Sequence, residues 1–242
     1  GLSPPDGFKH RAFHGHCVVK RGEAMDEQDL IYDWNEIDYE IKRDESRHPH
    51  ELWFDDETLR DGLQSPSARN PTIEQKIELV DFMESLGIQK VDLGLPGAGP
   101  FHIGHIDAML SHMGENEYAL RPGCAVRTVV SDIEPLVDLQ AKHERQIQAS
   151  AFLGTSPIRQ YAEGWSMEKI LSTAEKAVSF AVDNDIPVMF VTEDTTRSKP
   201  EEIKEVYTRA LELGADRICV CDTCGHVTPN GVHKLLEFIQ DE

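Results

Sequence analysis

Residues 54–66, Phe-Asp-Asp-Glu-Thr-Leu-Arg-Asp-Gly-Leu-Gln-Ser-Pro, set an arginine beside a carboxylate soon after an apolar run, Leu52, Trp53 and Phe54. If that run is a strand, Arg60 and Asp61 stand where it stops, which is where parallel-barrel enzymes carry their catalytic groups. Asp61 can ligate a hard divalent metal, and Arg60 can polarise an oxygen held next to it. Gly62 marks a sharp turn directly after them. Arg-Asp-Gly alone is a commonplace tripeptide; thirteen residues in this order are far more specific. Cys219, Cys221 and Cys224 invite a zinc reading, but the first two fall on one face of a buried strand, where small apolar filling is the expectation. His14-Gly15-His16 has metal-pair spacing but lies far upstream, and His102 and His105 read as loop or helix-surface residues.

These groups need a scaffold, and from residue 51 the chain supplies a strand–helix rhythm. Apolar or β-branched runs recur near 52–57, 89–95, 124–130, 147–153, 187–192 and 217–221. The stretches between them have readable helix ends. Thr72 and Gln75 stand at capping-box spacing before Ile73, Ile77, Val80 and Met83, with Gly87 as the stop. Ser166 opens a helix carrying Ile170, Ala174, Val178 and Ala181 on one side, and Pro200, Glu201 and Glu202 suit another first turn, ending at Gly214. Pro229 after Thr228 opens one more, with Leu235, Leu236 and Ile239 expected to face inward. Alternation of this kind implies a parallel sheet, open and doubly wound or closed into a barrel. Residues 1–50 are organised differently: Leu30, Ile31, Trp34, Ile37 and Ile41 recur at roughly helical spacing inside a charged stretch, which reads as an N-terminal extension with a peripheral helix, packing on the main domain or on a neighbouring subunit.

At 242 residues the expectation is one main domain with one sizeable core. The formal charge of −20 argues against nucleic acid and anionic membrane as partners. Five cysteines without regular spacing fit a reducing compartment, and with no membrane-length apolar run and no signal-peptide core the chain reads as cytoplasmic.

The 54–66 stretch resembles the signature of the metal-dependent acyl-CoA condensing and cleaving enzymes: isopropylmalate, homocitrate and citramalate synthases and hydroxymethylglutaryl-CoA lyase. Further segments are similar to that family in the right order. Val91-Asp92-Leu93-Gly94-Leu95-Pro96 resembles its second strand and Phe152-Leu153-Gly154-Thr155-Ser156 its fourth. Glu193–Arg197 and Asp222–Pro229 resemble the ends of its fifth and sixth. The resemblance implies a TIM (β/α)8 barrel. Six units of about 32 residues fill 51–242, so the chain is expected to hold about the first six of eight, with 1–50 outside the barrel.

What the resemblance implies chemically is a Claisen-type condensation of acetyl-CoA with a 2-oxo acid, followed by thioester hydrolysis and assisted by Mg²⁺, Mn²⁺ or Zn²⁺. Lyase-like carbon–carbon cleavage is the runner-up, and a catalytically incomplete or regulatory barrel the non-enzymatic alternative. Arg60 corresponds to the polarising arginine, Asp61 to the metal-binding acid and Glu193 to a glutamate that positions substrate and moves a proton. Gln64, Asp92, Arg127 and Thr223 match substrate-contacting positions; for Arg127 a salt bridge at the barrel mouth is an equal reading. Asp222 and Thr228 are expected to shape a turn, and Arg197 to be structural. The family's His-x-His pair belongs to a seventh strand, outside the six units matched here. Ser150 and Val191 stand where relatives carry more polar pocket residues, which implies a larger, more apolar oxo acid. A homo-oligomer, specifically a dimer, is the expected assembly.

Overall fold

The computed structural model describes residues 30–37, 52–66 and 68–242. Six strands form one sheet: β1 (Asp55–Asp56), β2 (Lys90–Asp92), β3 (Arg121–Arg127), β4 (Gln148–Gly154), β5 (Val188–Glu193) and β6 (Arg217–Val220). All neighbours pair in parallel, in the sequential order β1-β2-β3-β4-β5-β6. A doubly wound sheet would reverse order at a switch point. This one never does, so the winding is that of a barrel, and six of its strands are present as an open half-barrel.

The crossovers are α1 (Ile73–Leu86), α2 (Pro100–Glu115), α3 (Val130–His143), α4 (Pro157–Glu163) with α5 (Met167–Asp183), and α6 (Pro200–Glu212); α7 (Pro229–Asp241) follows β6. Their ends are chemically marked. Thr72 and Gln75 form both halves of the expected capping box on α1, and Gly87, at φ 73°, closes it in a left-handed conformation that costs glycine little. Ser166 caps α5 through the Lys169 N–H, and Thr228 caps α7 through the Gly231 N–H. On α7, Leu235 is buried and Ile239 packs on the core. Leu236 departs from expectation and lies exposed, since one helical step rotates it about 100° away from Leu235.

Strand alternation decides which side chains reach the site. On β5, Val188, Phe190 and Thr192 are buried beneath the helices, whereas Met189, Val191 and Glu193 face the concave side and stay partly open. The main core therefore lies between sheet and helices, with Ile106, Met109, Leu136, Ile170 and Phe190 among its largest fully buried members. Just ahead of β1, the guanidinium groups of Arg121 and Arg217 lie 4.3 Å and 4.7 Å from the centroid of the Trp53 ring, which links the approach to the first strand with the starts of the third and the sixth.

Residues 30–37 are irregular rather than helical, with a turn at 34–36; Ile41, the other member of the expected helix, lies outside the described residues. The segment is nevertheless firmly seated. Trp34 is completely buried, its Nε1 donates to the Ser198 carbonyl at 2.9 Å, and its ring meets Phe238 at 5.3 Å. Asn35 Oδ1 accepts from both the backbone N–H and the hydroxyl of Thr228, and Lys234 Nζ donates to the Asn35 carbonyl. Its docking place is thus the corner where β6 leads into α7. No helix among the described residues is long and apolar enough to cross a membrane.

Candidate active site

The chain leaves β1 through tight turns. Asp56 Oδ1 accepts from the Thr58 N–H at 2.8 Å, the Arg60 and Gly62 N–H groups both return to the Glu57 carbonyl, and residues 62–64 form a 3₁₀ turn. Leu59, 3% exposed, anchors this knot in the core. The folding of the segment therefore leaves Glu57, Arg60, Asp61 and Gln64 together at the C-terminal mouth of the sheet. They line one cleft of about 580 Å³ with Asp92, Glu193 and Thr223, bounded deeper in by Ala125, Ser150, Phe152, Met189 and Val191.

Arg60 is the centre of charge. Its Nε donates to Glu57 Oε2 at 2.7 Å, its Nη1 to Asp61 Oδ1 at 3.2 Å, and its Nε stands 4.0 Å from Asp92 Oδ2. Partial burial works against the guanidinium charge, but Glu57 and Asp92 outweigh it and hold the group firmly protonated. Glu57 itself is pushed above its ordinary value by burial, against the pull of Arg60. The larger effect falls on Asp92, which is 1% exposed. Burial, and then the nearby Glu57 charge, push its carboxyl up to about 7, although Oδ1 accepts the Gly94 N–H at 2.9 Å. Asp92 Oδ2 has no hydrogen-bond partner at all, and neither does the buried Ser150 Oγ. Both residues line the cleft, and because an orphaned buried acceptor or donor costs about 1–3 kcal/mol, a polar occupant that satisfied them would be favoured.

The opposite wall comes from β5 and β6. Glu193 ends β5, with Arg159 Nη2 3.8 Å from its Oε2. Thr223 Oγ1 accepts the Asp194 N–H at 2.9 Å, which leaves its own hydroxyl proton free to donate into the cleft. Asp222 accepts from Thr196 and from the His226 N–H, so it shapes the turn as expected, and Arg197 clamps Asp194 with two bonds of 2.7 Å.

Six of the seven residues named from the sequence meet in this cleft. Arg127 does not: its guanidinium grips Asp132 with two bonds of 2.7 Å, and its side chain is 58% exposed outside the cleft. Glu57 joins without having been singled out; its signal was the Glu-x-x-Arg spacing, which a turn closes into contact. Cys219 and Cys221 do share a strand face, but they line the cleft half-buried, with their sulfurs 3.9 Å apart, rather than filling a core. His102 and His105 lie on α2 beside a neighbouring cavity, and His14 and His16 are outside the described residues. For a divalent cation the cleft offers Asp61, 67% exposed, and no group of three His, Cys, Asp or Glu able to hold a metal exists among the described residues. The described residues thus do not by themselves make a metal site.

A singly wound parallel half-barrel with charged groups gathered at the carboxyl ends of its strands is an enzyme-type scaffold of the (β/α) barrel class. The HMGL-like family profile matches residues 51–242, and the chain belongs to that family. It is 32% identical over 194 residues to a probable 2-isopropylmalate synthase of Methanopyrus kandleri, covering 80% of this chain and 37% of the relative. It is 31% identical over 196 residues to homocitrate synthase AksA of the same organism, covering 80% of this chain and 46% of the relative. The chain therefore spans less than half the length of these relatives. Among solved structures, the HMG-CoA lyase of Brucella melitensis superposes with a TM-score of 0.62 at 13% identity over 78% of this chain and 68% of that one, a likeness of fold.

Proposed function

We propose that the protein is an acyltransferase that condenses acetyl-CoA with a 2-oxo acid, in the manner of 2-isopropylmalate synthase. The observation that carries this reading is the Arg60–Glu57–Asp92 cluster facing Glu193 across one cleft, with Asp92 Oδ2 unpartnered. The Arg60 guanidinium donates to the ketone oxygen of the oxo acid and draws charge toward it, which makes the adjacent carbon electrophilic. Glu193 takes a proton from the acetyl methyl group; the resulting enolate carbon bonds to the ketone carbon, whose oxygen takes up the negative charge and then a proton. Asp92, with a carboxyl that titrates near neutrality, is placed to supply that proton. Water then cleaves the thioester and releases free CoA thiol. The Thr223 hydroxyl donates to the substrate carboxylate, Gln64 contacts the oxo acid at the mouth, and a divalent cation, where one takes part, has Asp61 as its ligand in this chain. Phe152, Met189 and Val191 give the deeper wall an apolar character suited to a branched or longer oxo-acid side chain.

The test is thiol release from acetyl-CoA across a panel of 2-oxo acids with Mg²⁺ or Mn²⁺. Release that requires one oxo acid and is lost in Asp61→Ala supports the reading. No release with any acid sinks it, and a clear preference for 2-oxoglutarate sinks the apolar-pocket assignment alone.

A further inference from the structure

Next to the turn that carries Arg60, a second cavity of about 350 Å³ opens between residues 59–64, the end of β2 and the early turns of α1 and α2. Arg60, Gln64 and Leu95 line both this space and the cleft, so the two share a wall. Leucines that follow β1 and β2 give it apolar sides. Its charged groups run against the rest of the chain. Arg60, Lys76, His102 and His105 stand in the lining and no Asp or Glu does, in a protein of formal charge −20.

Lys76 is the unusual member. It is 4% exposed, and among the described residues its ammonium group has no hydrogen bond and no ion pair. Burial lowers its pKa, and no carboxylate is close enough to oppose the shift. It also stands near the N-terminus of α1, where a cation opposes the helix dipole. A buried ion without a partner is costly, so this position carries a cost that an arriving anion would relieve. His105 repeats the pattern from α2. Its Nδ1 is buried without a partner, and Phe101 packs on its ring with the centroids 4.2 Å apart. Burial first, then the Lys76 and His102 charges, hold His105 below its ordinary value, while the exposed Glu74 pulls the other way. Two basic groups from two helices thus meet one leucine-lined space with no acid between them.

We propose that this cavity binds a small carboxylate with a short hydrocarbon body, separately from any ligand of the cleft. The carboxylate lies between Lys76 and His105, and the hydrocarbon lies against the leucines. One buried ammonium balances one negative charge, and apolar walls suit hydrocarbon, which together favour a monocarboxylate over phosphate. Because Arg60 and Gln64 line both spaces, a ligand held here bears on the cleft, and affinities at the two places are linked in both directions.

Nuclear magnetic resonance titration of the ¹⁵N-labelled whole chain with butanoate, and separately with inorganic phosphate, tests it. Butanoate is expected to shift the His105 ring nitrogens saturably and to move their titration to higher pH, as an anion offsets the Lys76 and His102 charges. A merely structural lysine would leave both readouts unmoved. Lys76→Met is expected to lose about tenfold or more in butanoate affinity while melting no lower than the wild type, since it keeps the apolar stem and removes an unpaired buried charge. Asn70→Asp places a carboxylate at the exposed rim of the same cavity, and is expected to weaken binding several-fold without touching the core. No saturable shift of His105, unchanged affinity in either variant, or phosphate bound more tightly than butanoate overturns the proposal. The measurement involves no turnover, so it stands or falls apart from the condensing reading, which thiol release alone decides.

Discussion

Two strand ends of this sheet each deliver an arginine to a carboxylate, and they differ in what is left over. After β3, Arg127 and Asp132 satisfy one another: two side-chain bonds of 2.7 Å join them, and the Arg127 N–H donates to the same buried carboxylate. After β1, Arg60 faces three carboxylates at once, and one of them keeps an oxygen without a hydrogen-bond partner. In the first arrangement both oxygens of the acid are taken. The second is under-satisfied, holds Asp92 poised near neutrality, and lowers its energy when a polar ligand arrives. An arginine at a strand end is therefore not a site by itself; the state of its acids decides.

The comparison breaks most easily at Arg60. Arg60→Ala should lower the rate of thiol release by about a hundredfold or more, as the loss of a preorganised donor does, whereas Arg127→Ala should stay within about threefold; steady-state rates on one oxo acid give both numbers. Equal losses would erase the distinction.

Next in size is the pH dependence of stability. Asp92 has a folded-state value of about 7 against an ordinary 3.8, so the folded protein keeps a proton that the unfolded chain has lost. Its contribution is fully present below the ordinary value and is lost as pH rises toward and through about 7, at up to about 1.4 kcal/mol per pH unit. Asp92→Asn should flatten that fall in a series of melting temperatures. A third, smaller effect sharpens the closed end: Arg127→Ala should cost about 1 kcal/mol in denaturant unfolding, a figure already reduced for the exposure of its guanidinium. The smallest in activity is Gly154→Ala. The new methyl group would stand 2.6 Å from Arg159 Cγ and push the arginine aside, lowering activity a few-fold through Glu193 with a melting loss of roughly 2–6 °C, since the crowded atom lies near the base of the side chain rather than at its flexible end.

Much of the scaffold was legible because it is written in local chemistry. Thr72, Gln75 and Gly87 announce one helix at both ends, and the apolar run near 187–192 announces β5. Arg60, Asp61 and Gln64 were readable for the same reason, as they belong to a single compact turn. Glu57 was missed because its role arises only when that turn brings it back onto Arg60 three residues later. Arg127 was placed among the substrate contacts by resemblance, with a salt bridge as the equal reading; it is the last residue of β3, and an acid five residues onward holds it. The helix expected from Leu30 to Ile41 rested on apolar spacing alone. Over 30–37 those apolar groups face partners from distant parts of the chain, which need no regular backbone to present them.

That last feature bears on the order of events during synthesis. Asn35 and Lys234, which share a hydrogen bond, are 199 residues apart in sequence. At about 5–20 residues per second, the ribosome leaves the early segment waiting roughly 10–40 s for its docking corner. The first described residues of the chain are thus among the last to reach their place. Closing the Trp34 pocket is then a late event in maturation, one that cannot happen until α7 has left the exit tunnel.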